Sequence, residues 1–276
     1  MTVDLQQSAK LVSESFKSQD LMVGGKKLNI LRSGNGVPIV LFHSLLADRT
    51  SFDPLALMLA KTNDVIMLSL PGFEGSDFVG SQLEALADQV VGAIATLNLS
   101  QKPILLGNGF GGFVALVCAL RHPNFASRLI LADCGACFSE PGRAAFRNMS
   151  NGAKEKGLEA VADIAMRRLF APEFQAQNPA LIADRKARFL KLPLETFHGA
   201  CLALSELDLR PQLASMVLPT LVLVGDMDEA TPPAMSHELA EMLPNAQLIV
   251  LQSCAHVPQL QSPDLFMENI KGFIQS

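Results

Sequence analysis

The run Pro103-Ile-Leu-Leu-Gly-Asn-Gly-Phe-Gly-Gly-Phe-Val-Ala-Leu116 leaves a chain few ways to fold. An apolar stretch suited to a buried strand reaches Gly107, and a helix-forming stretch departs from Gly111. Between them, Gly107-Asn108-Gly109-Phe110-Gly111 has the spacing of the G-x-S-x-G turn, in which a strand passes sharply into a helix and lifts a serine between them. Here the middle position is Gly109. The joint is kept and its hydroxyl is missing.

The rest of the chain supplies partners for that joint. Residues 1–20 predict a leading amphipathic helix with a weak pattern, and residues 21–32 a hairpin around Gly24-Gly25. Apolar runs at 37–42, 65–70, 103–108, 128–133, 220–225 and 247–252 read as buried strands. Helical segments separate or follow them near 53–60, where Pro54 takes the first helical position, and near 81–97, 110–121, 233–243 and 263–275. Short all-apolar strands alternating with helices predict an α/β fold whose mostly parallel sheet is covered on both faces. From about Cys137 to Asp208 the strand signal stops, and basic helical segments broken by Gly, Pro and Asn take over. The expected organisation is a core formed by 1–138 and 208–276, with a helical cap at 139–207 inserted after the sixth strand.

Composition narrows the function. In 276 residues, 49% are apolar and 18% charged, which suits one large folded domain rather than disorder. A formal charge of −5 offers no footprint for nucleic acid or an anionic membrane. The first twenty residues lack the apolar centre of a secretory signal, and no stretch has the length of a membrane helix, so a cytoplasmic protein is expected. Five cysteines without an export signal read as free thiols. Cys134-Gly-Ala-Cys137 has neither a second CxxC nor a histidine pair, so no metal site is expected, and no cofactor fingerprint is present. With no Trp and no Tyr, phenylalanine and methionine must fill the aromatic-sized spaces.

Four motifs in order resemble the α/β-hydrolase superfamily over nearly the whole chain. His43-Ser44-Leu45 is similar to its oxyanion loop, and Leu70-Pro-Gly-Phe-Glu-Gly-Ser76 to its D-x-P-G-x-G-x-S turn, with Ser69 in place of the Asp. Gly225-Asp-Met-Asp228-Glu-Ala-Thr-Pro-Pro233 resembles the acid loop, and Ala255-His256 the histidine loop. Within the superfamily, the pattern looks nearest to 3-oxoadipate enol-lactonases.

The resemblance implies that Asp228 orients His256, that His256 is the general base, and that the backbone N–H groups of Phe110 and Leu45 form an oxyanion hole. His43 would shape that hole, while Ser44, Leu46 and Val257 would stand in the pocket. Ser44 needs no special role on this reading, and Cys134 and Cys254 lie outside the elbow. His122, His198 and His237 have no motif context. Among the cap arginines Arg143, Arg147, Arg167 and Arg168, one could hold a substrate carboxylate, against the alternative of a solvated helix face. Gly109 should keep the turn, since glycine accepts positive φ, while removing the route through a serine acyl-enzyme.

Three readings stay open. The first is an enzyme acting on an ester, a lactone or a C–C bond through His256 and Asp228, with a water in the vacated space. A cofactor-free reaction begun by proton abstraction at His256 is its variant. The second is a disabled hydrolase, and the third a ligand-binding protein. A small-molecule partner is expected in each, and a homodimer is left open.

Overall fold

A computed structural model describes residues 5–275. Its strands are β1 (Lys17–Val23), β2 (Lys26–Ser33), β3 (Val37–Phe42), β4 (Asn63–Leu68), β5 (Ile104–Asn108), β6 (Arg128–Ala132), β7 (Thr220–Gly225) and β8 (Ala246–Leu251). Its helices are α1 (Leu5–Ser15), α2 (Asp53–Leu59), α3 (Leu83–Ala95), α4 (Phe110–Arg121), α5 (Glu140–Lys156), α6 (Glu159–Leu169), α7 (Pro172–Gln177), α8 (Pro179–Phe189), α9 (Leu194–Glu206), α10 (Arg210–Leu213), α11 (Pro233–Met242), α12 (Pro258–Gln261) and α13 (Pro263–Gln275). Of the leading helix expected over 1–20, residues 1–4 lie outside the described part and Lys17 onward is strand.

The eight strands form one sheet in the order β1-β2-β4-β3-β5-β6-β7-β8. β1 and β2 are antiparallel to their neighbours, and β3 to β8 run parallel. This is the α/β-hydrolase arrangement that the sequence predicts. Successive connections leave β3 in opposite directions, toward β4 on one side and β5 on the other. A crevice therefore opens at the carboxyl ends of β3 and β5, the place where open α/β sheets bind ligands.

Two apolar clusters cover the sheet. One joins α3, α4 and α11 to residues such as Val40, Leu105 and Val222, and the other joins α1, α2 and α13 to Ile39, Leu106 and Leu221. Residues two apart on β3, β5 and β7 thus face opposite helices from their immediate neighbours, which is why these strands read as unbroken apolar runs. Helix α4 is central, with every residue from Phe110 to Ala119 buried, so it lacks an amphipathic pattern.

Element ends differ modestly from expectation. β4 starts at Asn63, not Val65, because Asn63 and Asp64 pair with Val37 and Pro38 of β3 despite their polarity. It ends at Leu68 because the Leu70 N–H is given to His43 Nε2 at 3.1 Å instead of to a strand. None of the described helices is long and apolar enough to cross a membrane.

Helices α5 to α9 fill the interval between Cys137 and Asp208, whose ends meet in an antiparallel bridge, and α10 follows before β7. We propose the division into a core of 1–138 with 208–276 and a cap of 139–207 on that basis. Arg143 works at this seam: its guanidinium donates to the carbonyls of Phe138, Ser205 and Leu207 at 3.0, 3.2 and 2.9 Å. On the far side, Arg185 of α8 donates to Thr50 Oγ1 at 2.8 Å and pairs with Asp48, tying α8 to the loop after β3.

One close approach sets the geometry of the crevice. A Cβ on Gly111 would lie 2.2 Å from the Phe42 carbonyl oxygen and 2.6 Å from that of His43. Only a glycine lets the first turn of α4 rest on the end of β3. Gly111→Ala is expected to cost about 3 kcal/mol or more, since the obstruction is backbone. Gly272→Ala, where the Cβ meets nothing within 4 Å inside α13, should instead gain up to about 1 kcal/mol. Urea denaturation of the two variants against the parent checks both signs.

Candidate active site

Gly109 sits at φ 54°, ψ −121°, between β5 and α4. Glycine reaches this region freely, whereas another residue would carry a strain of order 1–3 kcal/mol. Its N–H is held by the Ala132 carbonyl at 2.9 Å, so the turn is braced from β6. Phe110 opens α4, where the first N–H groups have no partner in the helix's own ladder.

His256 arrives from the loop after β8. Its Nδ1 lies 2.9 Å from Asp228 Oδ2, and both residues are buried. Asp228 also accepts the N–H groups of Ala230 and Thr231 at 2.7 and 3.1 Å and the Thr231 hydroxyl at 2.6 Å. Four donors thus converge on one carboxyl group. This network assigns the Nδ1–H tautomer and leaves the Nε2 lone pair of His256 facing Gly109.

Two polar atoms border the space there. A Cβ on Gly109 would stand 2.7 Å from His256 Nε2 and 2.7 Å from Ser44 Oγ. These two atoms are themselves 3.3 Å apart. A carbon at that point is crowded, whereas a water oxygen there would lie within hydrogen-bond distance of both. Ser44, expected only as a pocket residue, thus stands beside the free nitrogen of His256.

His43 is buried behind the loop and does not line the pocket. Its Nδ1 donates to the Ser44 carbonyl at 2.9 Å, its Nε2 accepts from Leu70 N–H, and its ring meets Phe73 edge-on at 4.4 Å. Burial pushes its pKa down to about 4, so it is a neutral strut. Val257 likewise packs into the core instead of lining the pocket.

The pocket itself is narrow. Ser44, Leu45, Leu46, Gly109, Phe110 and His256 form its floor, and Phe113, Phe138, Phe146, Met149, Arg168 and Leu204 its walls and roof, around about 30 Å³. That is room for a water or two, far below the usual ligand pocket of about 300–1,000 Å³. A cavity of about 410 Å³ adjoins it, and Leu45 and Leu46 line both. They form the partition between a charged outer chamber and an apolar inner one.

Of the four cap arginines, only Arg168 reaches the inner pocket. Arg143 serves the cap seam, Arg147 pairs with Glu140, and Arg167 is exposed. Arg168 has no carboxylate within ion-pair distance among the described residues, its closest polar contact being Met149 Sδ at 3.5 Å, and burial lowers its pKa. Among the other histidines, His122 contacts Asp88, His198 contacts Ser150, and His237 is exposed.

Two residues that carry the site have no counterpart in the sequence reading. Asn108 donates to the His256 carbonyl at 2.8 Å and accepts from Gln259 Nε2 at 3.0 Å, which pins the histidine loop to the elbow. Asp133, at φ 52°, accepts from Gly225 N–H at 2.9 Å, and burial beside the Asp228 carboxylate pushes its pKa well up. A polar residue closing an all-apolar strand was the available signal for both. The five cysteines are all free thiols, as expected.

Residues 37–263 match the family model described as the alpha/beta hydrolase fold. The chain is 30% identical over 260 residues to a pimeloyl-[acyl-carrier protein] methyl ester esterase of Aeromonas hydrophila, covering 90% of this chain and 99% of that one. It is 25% identical over 256 residues to 3-oxoadipate enol-lactonase 1 of Acinetobacter baylyi, covering 91% and 94%. The crystal structure of the enol-lactonase from Burkholderia xenovorans superposes with a TM-score of 0.88 at 26% identity, covering 94% of this chain and all of that one.

The loop that carries Ser44 continues into a buried charged cluster. Asp53 is buried beside Asp48, with its Oδ1 unpartnered, and Arg49, Arg185 and Arg188 only partly offset the effect. Burial and the Asp48 charge push Asp53 up to about 7. The native state therefore binds a proton that the unfolded chain releases near pH 4, and stability should fall as pH rises from about 4 to about 7, by at most about 1.4 kcal/mol per pH unit. Asp53→Asn is expected to flatten that slope, read from urea denaturation at pH 5, 6 and 7.

Proposed function

The chain belongs to the α/β-hydrolase fold family, and from that premise we propose that it hydrolyses a small carboxylic ester or lactone, with His256 as the general base. The observation that carries this reading is the intact His256–Asp228 pair, whose free nitrogen faces the crevice end of the elbow. A binding protein needs no such pair. The esterase and enol-lactonase relatives support the class of bond.

In this mechanism the substrate carbonyl lies over Gly109 with its oxygen toward the N–H groups of Leu45 and Phe110. Backbone donors do not depend on the elbow side chain, so the oxyanion hole survives glycine at that position. His256 Nε2 takes the proton of the attacking hydroxyl, and Asp228 stabilises the imidazolium that results. The same nitrogen then returns the proton to the leaving oxygen.

Arg168 sets the preference among substrates on this reading. A cation in a largely apolar chamber, with no carboxylate at ion-pair distance among the described residues, is costly until an anion arrives. We therefore assign the substrate a carboxylate or similar anionic end seated on the cap side, as a dicarboxylate-derived ester or lactone would provide. Entry requires displacement of the Leu45–Leu46 partition, since the inner chamber as it stands admits no ester. A cytoplasmic location belongs to the same reading, supported by the five unpaired thiols.

Steady-state assays on aryl esters and enol-lactones, with and without a carboxylate, test it. His256→Ala and Asp228→Asn should each lower kcat by about 10²–10⁴. Arg168→Met should raise KM for the anionic substrates by about tenfold or more and leave neutral ones within about threefold. Unchanged turnover in His256→Ala overturns the assignment of the base.

A further inference from the structure

We propose that Ser44 is the attacking nucleophile, so that the hydroxyl absent from the elbow has a replacement on the loop that faces it; this rests on the hydrolytic reading above. The first support is position. Ser44 Oγ lies 3.3 Å from His256 Nε2, the nitrogen that Asp228 leaves free. That is longer than a tight O–H···N bond, and catalytic contacts in unliganded sites commonly tighten only with substrate bound.

The second support is exclusion. An elbow Cβ would come within 2.7 Å of Ser44 Oγ, closer than real Cβ atoms approach anything. The Ser44 hydroxyl, as placed, and a side chain at position 109 are alternatives for one volume. With glycine at the elbow the Ser44 hydroxyl keeps the orientation that faces His256 Nε2, and an elbow side chain would make it turn or shift.

Third, Ser44 is held as a nucleophile should be. Its carbonyl accepts from His43 Nδ1–H at 2.9 Å and from Ala47 N–H at 3.4 Å, and His43 is in turn fixed by Leu70 N–H. Its own chain neighbour, Leu45, brings an N–H to the oxyanion side. A carbonyl attacked by Ser44 would thus find a donor one peptide away, and the Phe110 N–H across the crevice.

Among the described residues no other side chain meets these conditions. Thr231 Oγ1 lies on the Nδ1 side of the ring, where it donates to Asp228. Cys254 and Cys134 are buried, and neither contacts the imidazole; burial raises both thiols, Cys254 to about 11. Neither is a thiolate near neutral pH.

The step balances without a further reactant. The Ser44 O–H proton moves to His256 Nε2 as Oγ bonds to the acyl carbon, and the carbonyl π pair moves to oxygen. Collapse breaks the bond to the alkoxy oxygen, which leaves with the proton from His256. Water then repeats the sequence on the Ser44 ester, His256 taking its proton and returning it to Oγ. Acid is released and Ser44 is restored.

The test uses the full chain with a biotinylated alkyl fluorophosphonate, followed by peptide mass mapping, and with aryl acetates followed by turnover. An adduct on Ser44 that disappears in Ser44→Ala and in His256→Ala is the expected result, with turnover of Ser44→Ala down at least a hundredfold. Because removing a buried hydroxyl could move the loop, Ser44→Cys is the second variant. Its thiol should be alkylated by iodoacetamide at a rate that His256→Ala lowers at least tenfold.

Turnover of esters by Ser44→Ala within threefold of the parent, with no adduct at Ser44, overturns Ser44 and leaves the hydrolytic reading standing. An adduct at Ser44 without turnover of any ester or lactone supports the nucleophile and removes the substrate class. Absence of both adduct and turnover overturns the two together.

Discussion

The structure depends on the contact between the first turn of α4 and the end of β3. With no Cβ on Gly111, the helix backbone settles against the Phe42 and His43 carbonyls. That single approach brings the elbow and the following loop, 43–46, to the same point of the crevice. The backbone of Leu45 and Phe110, the Ser44 hydroxyl and the partition formed by Leu45 and Leu46 all inherit their places from it. A strand end that stood even 1 Å further off would separate the groups that must act together, and catalytic geometry tolerates little such looseness.

Charge in the core is arranged by environment, as three of the buried aspartates show. Asp228 is surrounded by four donors, the His256 ring among them. Asp133, next to it, has its pKa pushed well up by burial and by that neighbouring charge. Burial and a like charge alongside both disfavour the charged form of Asp133. Asp53, beneath the loop after β3, faces Asp48 and is likewise pushed up. The Asp48 charge in turn holds Arg185 and Arg188 of α8, so the same loop that presents Ser44 is anchored to the cap.

Much of this was legible in the residues, and the limits follow a physical pattern. Apolar runs marked β3, β5, β6 and β7 because both faces of each are covered by helices. The joint at Gly107–Gly111 and the helical interval before β7 could be read from the residues, and the pairing of Asp228 with His256 followed from the family resemblance. Polar strand residues were harder: Asn63 and Asp64 belong to β4, but only their register with β3 reveals it. Arg143 reads as a candidate ligand for substrate, yet its donors are spent on three carbonyls at the base of the cap. Arg168 reads no differently in sequence, and only the folded cap turns it inward. Val257 follows the histidine and reads as pocket, whereas the turn into α12 sends it into the core.

Ser44 illustrates the deeper limit. Chain position alone cannot say that a loop hydroxyl 212 residues away from a histidine comes within 3.3 Å of its ring. Deleting a side chain from an elbow suggests an empty seat, and that inference assumes that everything around the seat stays put. In the folded chain the facing hydroxyl and the imidazole border the volume, and on the proposed mechanism the change at the elbow is an exchange. An elbow serine works against backbone strain, because its residue must hold positive φ. A serine on the opposing loop needs no such conformation, while glycine at the turn relieves it. The imidazole–carboxylate pair and the backbone donors are indifferent to which side of the crevice supplies the oxygen, provided that it reaches Nε2 and the acyl carbon together. What the fold conserves in such an exchange is the meeting point, and the residue that fills it is free to come from either wall.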